Sequence, residues 1–166
     1  MNKILLPVLI SLCSFVYSQT AEDYYNRGKA KAKLEDYVGA IQDYSKAIEL
    51  EPEDEKGYYG RGIAKANLED YRGAVQDYNK AIKLAPERPE LYFFRGLSKG
   101  GLEDHRGTIQ DFNKAIDLDT EYANAYYFRG LSKIILGDKN GGCLDFSKAG
   151  ELGDETAYDA IRKLCN

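Results

Sequence analysis

The residues best suited to acid–base or nucleophilic chemistry are few in this sequence and lie far apart. His105 is the single histidine, so an imidazole base would have to be this residue, and no serine or cysteine stands beside it. Adjacent carboxylates occur at Glu35-Asp36 and Glu69-Asp70, but their regular recurrence indicates a repeated structural unit. The sequence contains no glycine-rich phosphate loop and no His/Cys metal-ligand spacing. It therefore predicts a protein that is not an enzyme and that uses no cofactor and no metal ion.

The overall composition excludes several classes of protein. Of the 166 residues, 43% are hydrophobic and 30% are charged, which is typical of a folded chain and not of a disordered or multi-span membrane protein. The chain has 23 basic and 27 acidic residues without a basic block, so we expect no nucleic-acid binding. The 14 tyrosines are the one unusual feature of the composition.

The first residues have the pattern of a secretory signal peptide. A lysine precedes the apolar stretch 4–16, and small or apolar residues stand three and one positions before the bond between Ser18 and Gln19. The stretch is too short for a membrane-spanning helix, which needs about 20 residues. A lipoprotein signal would need a small residue before Cys13, where a leucine stands. We therefore expect 1–18 to be a cleaved signal peptide and the protein to be periplasmic or secreted, with no membrane insertion after cleavage.

The rest of the chain follows a period of 34 residues. An Arg-Gly pair recurs four times at this spacing, at Arg27-Gly28, Arg61-Gly62, Arg95-Gly96 and Arg129-Gly130. We number each unit from 1 to 34, which puts this arginine at position 7. Apolar or small residues at positions 4, 8, 10 and 14 predict a first helix, and those at 20, 21, 24, 27, 28 and 30 predict a second. Two helices in a 34-residue period predict an all-α solenoid.

The positions that recur make each unit resemble the tetratricopeptide repeat. They are an aromatic residue at 4 and 24, glycine at 8, a small residue at 20, alanine at 27 and, in the first two units, proline at 32. The departures are a lysine at 11, where the family usually has an aromatic residue, Gly142 at 20, and Thr120 and Asp154 at 32. The resemblance implies a right-handed α-solenoid of four helix-turn-helix repeats with a C-terminal capping helix. The expected domains are repeats at 21–54, 55–88, 89–122 and 123–156, followed by a capping helix at 157–166.

Two charged positions recur in all four units, arginine at 7 and aspartate at 23, on opposite helices of the predicted hairpin. A partly buried ion pair such as Arg27–Asp43 would fix the register of the two helices. The alternative is solvated surface charge, and the sequence favours neither.

The C-terminal end has the features of a cap. Cys143 and Gly150 replace larger apolar residues on one face of the last second helix, which indicates a close neighbour. Asp154 or Thr156 would cap the start of the capping helix. In an oxidising compartment Cys143 and Cys165 would form a disulfide, and the alternative is two small buried thiols.

The resemblance also implies a function, because the first helices of the family line a concave groove that holds a peptide of a partner protein. The family's groove positions fall in this chain on Tyr25, Lys29, Lys33, Tyr59, Ile63, Phe93, Leu97, Tyr127, Leu131 and Ile134. For the rings at position 5, the alternative is burial between neighbouring repeats. Chaperone-binding members clamp a C-terminal carboxylate with lysine and asparagine, which Ile63 and Leu97 disfavour here. We expect an exported scaffold that binds a protein or peptide. The alternative is a structural or self-associating subunit of a cell-envelope complex, in which the chain packs against another copy, as a homo-oligomer, or against other proteins of the complex.

Overall fold

A computed structural model describes residues 19–165, which form nine α-helices and no β-strand. The helices are α1 (Ala21–Lys33), α2 (Tyr37–Leu50), α3 (Glu55–Asn67), α4 (Tyr71–Leu84), α5 (Pro89–Gly101), α6 (His105–Leu118), α7 (Ala123–Ile135), α8 (Lys139–Glu151) and α9 (Glu155–Leu164). The signal peptide predicted for 1–18, with Ser18 at its end, and Asn166 lie outside the described residues. None of the nine helices has both the length and the apolar character that a membrane span requires.

The helices stack in sequence order, which confirms the predicted all-α solenoid. The two helices of each unit pack against each other, and each second helix packs on the first helix of the next unit. The first helices α1, α3, α5 and α7 also contact one another across units more extensively than the second helices do. They therefore line the inner side of the stack, and we call the surface formed by these four helices the inner face.

Each hairpin turns through one residue in the left-handed region of backbone space. In unit 1 this residue is Glu35, with φ 61°, and the amides that follow the helix are satisfied by its last turn. The Asp36 amide donates to the carbonyl of Lys31 at 3.0 Å, and the Asp36 carboxylate accepts from the Gly39 amide at 2.9 Å. One aspartate therefore closes α1 and starts α2. The residues equivalent to Glu35 are Glu69, Glu103 and Gly137.

The core is built where an aromatic ring at position 24 lies against the glycine at position 8. A Cβ atom on Gly62 would stand 2.8 Å from the ring of Tyr78, so only glycine lets the two helices approach this closely. Tyr78, Phe112 and Phe146 are among the largest fully buried side chains of the described residues. The cluster around Phe112 also includes Tyr92, which lies in the same unit.

The capping helix α9 begins two residues before its predicted start. The reason is Asp154, whose carboxylate accepts from the Thr156 amide at 3.0 Å and thereby caps the helix at Glu155. The predicted close neighbour of Gly150 is the ring of Tyr158, which a Cβ on Gly150 would approach to 2.9 Å. This part of the prediction is confirmed.

The two cysteines beyond the first 18 residues stand together at this end of the stack. Their sulfur atoms are 1.99 Å apart, at bonding distance, and join positions 22 residues apart in the sequence. Cys143 lies on α8 and Cys165 directly follows α9. A covalent bond here would hold the cap on the last repeat.

Candidate functional site

In each unit one buried aspartate binds both an arginine and a lysine of the first helix. In unit 2 the Asp77 carboxylate accepts from Nε and Nη2 of Arg61 at 2.9 and 2.7 Å, and Nζ of Lys65 lies 2.8 Å away. The same contacts join Arg27, Lys31 and Asp43; Arg95, Lys99 and Asp111; and Arg129, Lys133 and Asp145. The predicted ion pair is therefore confirmed, and the hydrogen bonds from Arg27 lower the pKa of Asp43 against the opposing effect of burial.

The same arginine joins successive units. Nη1 of Arg61 donates to the hydroxyl of Ser45 in unit 1 at 3.0 Å, and its guanidinium carbon lies 5.8 Å from the ring centroid of Tyr58. The equivalent bonds further along are Arg95 to Asn79 and Arg129 to Asn113. The arginines at position 7 thus link successive units, whereas the lysines at position 11 pair within their own hairpin. The exposed lysines that the inner face offers to a ligand at its first unit are Lys29 and Lys33.

The inner face opens into a pocket of about 390 Å³ between α1 and α3, which we call pocket A. Five of the predicted groove residues line it: Tyr25, Lys29, Lys33, Tyr59 and Ile63. The two tyrosines and the isoleucine are half-buried, whereas the two lysines are exposed. Pocket A therefore combines apolar walls with positive charge, as expected for this end of the groove.

Pocket A is open because unit 2 has glycine at position 6. In units 3 and 4 this position carries Phe94 and Phe128, which pack on the position-24 rings of the preceding unit at centroid distances of 6.4 and 6.3 Å. Unit 2 has no ring at this position, and the Tyr44 ring lies directly against the backbone of Gly60. A Cβ atom on Gly60 would stand 2.7 Å from the Tyr44 ring. Burial raises the pKa of Tyr44 to about 12, so its hydroxyl keeps its proton at neutral pH.

A second pocket, pocket B, lies between α3 and α5 and has a volume of about 200 Å³. Its lining includes Ile63 and Leu97, which the sequence assigned to the groove, together with Phe94 and Tyr78. Asn67 and Ile63 border both pockets, so A and B adjoin along α3. A single extended segment can therefore reach both.

At the C-terminal end the predicted residues face the capping helix. Tyr127 and Leu131 line a recess of about 320 Å³ whose opposite wall is α9, with Ala160 and Lys163. Ile134 packs instead within its own hairpin, because a Cβ on Gly142 would lie 2.6 Å from its side chain. Ile134 thus occupies the space left by the glycine at position 20.

Phe93 differs from the other predicted groove residues because it lies in the core. Its side chain is only 5% exposed, and its ring centroid lies 5.0 Å from that of Tyr122 and 5.8 Å from that of Phe128. These two rings, from the linker before α7 and from α7 itself, enclose Phe93. For this ring the alternative of burial between repeats therefore holds, and the aromatic residue that lines the inner face of α5 is Phe94.

The structure offers no metal site within residues 19–165. No group of three or more His, Cys, Asp or Glu side chains in this range is arranged to hold a metal ion. His105 is the first residue of α6, next to the capping residue Asp104.

The chain resembles known proteins in part of its sequence and in its fold. A family model of the tetratricopeptide repeat matches residues 21–54 and 55–88, and no curated protein matches the chain. Among solved structures, MamA residues 41 to the end from Desulfovibrio magneticus RS-1 are 27% identical with a TM-score of 0.75, over 80% of this chain and 75% of that one. The Arabidopsis OM64 TPR domain is 24% identical with a TM-score of 0.67, and the match covers 68% of this chain and 93% of that domain. The first TPR of Spaghetti (RPAP3), solved with the HSP90 peptide SRMEEVD, is 22% identical with a TM-score of 0.70. This match covers 72% of this chain and 95% of that one.

The sequence match covers two units, and the similarity of fold extends further. The family model covers the first two units directly, and the third and fourth units repeat the Arg–Asp–Lys contacts of the first two. The solved structures share this fold over most of their length. Residues 21–88 therefore match the tetratricopeptide repeat family by sequence, and the described residues share the fold of solved tetratricopeptide repeat domains.

Proposed function

We propose that this protein is a scaffold that binds a segment of a partner protein in pockets A and B of the inner face. The observation that carries this proposal is the continuity of the two pockets along α3, with apolar walls and two exposed lysines at one end. Apolar walls stabilise a bound segment by removing its side chains from water. Lys29 and Lys33 favour an acidic residue at the α1 end, so binding of acidic peptides weakens as salt rises.

The test replaces one apolar wall residue of α3 and one of α5 by a charged residue. Peptides selected from a random display library on the purified protein serve as probes, each labelled with fluorescein. We expect Ile63→Glu combined with Leu97→Glu to weaken binding about tenfold or more, because the new carboxylates would have to be buried under the ligand.

The matched control is Val38→Glu on α2, at a side chain that is 59% exposed and lies outside pockets A and B. This variant should bind the same peptides as the original protein. Circular dichroism checks that all variants remain helical. Full affinity in the folded Ile63→Glu/Leu97→Glu variant would show that the inner face is not the binding surface.

The proposal includes export and a disulfide at the cap. It is supported by the apolar stretch 4–16 with its cleavage pattern before Gln19, and by the bonding distance between Cys143 and Cys165. Intact mass measured on protein from its native cells without reductant tests both features. We expect a chain that begins at Gln19 and gains the mass of two hydrogen atoms on reduction. A chain that keeps residues 1–18 would contradict export by cleavage.

A second candidate function is self-association or docking into an envelope complex through the C-terminal end. It is favoured by Leu144 and Tyr158, which are 72% and 52% exposed on α8 and α9. Light scattering across a range of protein concentrations separates the two candidates. A monomer mass at every concentration excludes self-association, whereas a mass that rises with concentration and falls back in Leu144→Lys supports it.

A further inference from the structure

We propose that pocket A anchors a phenylalanine side chain of the partner segment, next to an acidic residue of that segment, and that the bound ring takes the place of the ring that unit 2 lacks at position 6. This inference rests on the proposed function, because it names the side chain that the groove holds.

The first observation is the packing of position 6 in the units that have a ring there. Phe94 contacts three other rings, at centroid distances of 5.6 Å to Tyr59, 6.4 Å to Tyr78 and 5.3 Å to Phe93. These rings stand at positions 5 and 24 of the preceding unit and at position 5 of the same unit. Phe128 makes the same three contacts one unit further along, at 5.8, 6.3 and 5.3 Å. The stack therefore repeats a three-ring site and fills it with its own phenylalanine.

The second observation is that the interface between units 1 and 2 has these three rings but no phenylalanine. The equivalent rings are Tyr25, Tyr44 and Tyr59, and all three line pocket A. The centroids of Tyr25 and Tyr44 are 5.6 Å apart, within the range of 5.6 to 6.4 Å for the same pair in units 2 and 3. Position 6 is Gly60. Pocket A thus offers the ring of another chain the aromatic surroundings that Phe94 has within this one.

The walls of pocket A that a ligand can reach are apolar. Tyr25, Tyr59 and Ile63 are half-buried, whereas Tyr44 is only 4% exposed and forms the floor. Aromatic rings in tilted or edge-to-face contact attract each other beyond the effect of the area that they bury. A volume of about 390 Å³ accommodates a phenylalanine ring. The pocket therefore favours an aromatic side chain over an aliphatic one.

The charge at the rim of pocket A determines what lies beside this ring in the ligand. Lys29 and Lys33 line the pocket and are exposed, and neither forms an ion pair within residues 19–165. Lys31, which lies between them in the sequence, is bound to Asp43. The two uncompensated cations favour a carboxylate in the ligand and disfavour lysine or arginine there. The expected partner segment therefore combines phenylalanine with aspartate or glutamate nearby.

The experiment fills the pocket from within the chain. Random display libraries are selected in parallel on the purified original protein and on Gly60→Phe, which gives unit 2 the ring of units 3 and 4. The matched control is Asn26→Phe, which places the same ring at position 6 of unit 1, at an exposed side chain outside pockets A and B. On the original protein we expect peptides with phenylalanine close to an acidic residue. The most enriched peptide is then made with phenylalanine, leucine or alanine at this position.

We expect Gly60→Phe to weaken binding of the phenylalanine peptide about tenfold or more, because its own ring occupies the site, and Asn26→Phe to leave binding unchanged. On the original protein the alanine peptide should lose a similar factor and the leucine peptide a smaller one. On Gly60→Phe the alanine and phenylalanine peptides should bind alike. Lys29→Gln combined with Lys33→Gln should weaken binding about fivefold at low salt and remove its salt dependence.

A second variant covers the case in which Gly60→Phe does not fold because the Tyr44 ring cannot move aside. Tyr25→Ala removes one reachable wall of pocket A without adding a side chain. It should weaken binding of the phenylalanine peptide and bring it close to the affinity of the alanine peptide. Circular dichroism checks that each variant remains helical.

Three results would overturn the inference. They are selected peptides without an enriched aromatic residue, full affinity of a folded Gly60→Phe or Tyr25→Ala variant for the phenylalanine peptide, and a leucine peptide that binds as tightly as the phenylalanine peptide. Binding that does not respond to the two lysine substitutions would overturn its acidic part. The proposed function would survive all of these as long as Ile63→Glu/Leu97→Glu still loses affinity. Failure to select any peptide would overturn both.

Discussion

The aspartate at position 23 neutralises two cations of the neighbouring helix while it is itself almost fully buried. In unit 2 the Asp77 side chain is 5% exposed, whereas those of Arg61 and Lys65 keep 21% and 20% of their exposure. Removing the carboxylate charge would leave two half-buried cations facing a neutral group. Because Arg61 also reaches Ser45 in unit 1, the damage would extend to the contact between units.

We expect Asp77→Asn to lower the free energy of unfolding by about 2 kcal/mol, less than for a fully buried pair because both cations keep contact with water. Urea unfolding followed by circular dichroism measures this. The control is Glu49→Gln, which breaks the exposed Lys46–Glu49 pair. The side chains of this pair are 56% and 61% exposed, so the substitution should lower the free energy of unfolding by less than about 0.5 kcal/mol. Equal losses in the two variants would mean that Asp77 contributes no more than surface charge.

The sequence predicts part of these residue-level contacts and not the rest, for identifiable reasons. The arginine at position 7 and the aspartate at position 23 recur in every unit on facing helices, so the period offers their pairing as one of two alternatives, and the structure decides for it. The lysine at position 11 recurs just as regularly, but it stands where the family has an aromatic residue, so the resemblance marks it as a departure and does not identify it as the second cation of Asp77. The place of Phe93 depends on rings at Tyr122 and Phe128 that do not recur in every unit, so no periodic pattern reveals it.

At the scale of the helix, the hairpin turns contain a strained residue in three units and a relaxed one in the fourth. Glu35, Glu69 and Glu103 have φ of 61° to 62°, a region that costs residues with a side chain about 1 kcal/mol or more. Gly137 takes the same place in unit 4 with φ 89°. No other atom lies within 4 Å of the site of its absent Cβ, so the backbone angle and not crowding distinguishes the two residue types.

We therefore expect Glu69→Gly to raise the free energy of unfolding by about 0.5 kcal/mol, the relief of strain being partly offset by the greater freedom of glycine in the unfolded chain. Gly137→Ala should lower it by about 1 kcal/mol. Chemical denaturation of both variants measures the free energy of unfolding, which should rise in Glu69→Gly and fall in Gly137→Ala. Gln42→Gly in the middle of α2, at an exposed side chain, is the control and should lower the free energy of unfolding by about 1 kcal/mol. A loss of stability in Glu69→Gly would show that its side chain contributes more than the turn costs.

The ends of the helices follow from the sequence where an aspartate caps them. Asp36, Asp70 and Asp104 each start a second helix through the amide three residues later, as the recurring aspartate predicts. The sequence leaves the capping residue of α9 open between Asp154 and Thr156, because both residue types cap helices. The structure decides for Asp154, whose carboxylate also accepts from the Thr156 hydroxyl.

At the scale of the molecule, the stack is packed unevenly along its length. The aromatic cluster around Tyr92, Phe93 and Phe112 joins units 3 and 4 and draws in further rings of α5 and α7. The cluster of the first two units centres on Tyr44 with Ala40 and Ala64, and pocket A lies beside it. The stability of a repeat protein is approximately a sum over units and their interfaces, so this difference should appear as a difference in local stability.

Native-state hydrogen exchange measured by mass spectrometry tests this expectation helix by helix. We expect the slowest amide exchange in α5, α6 and α7, because opening them exposes the largest set of rings to water. Exchange should be faster in α1 and α2, because their one neighbouring unit carries Gly60 in place of a phenylalanine. A peptide bound in pocket A should slow exchange in these two helices and leave exchange in α6 unchanged. Equal protection in all nine described helices would contradict the gradient, because it would mean that the stack opens only as a single unit.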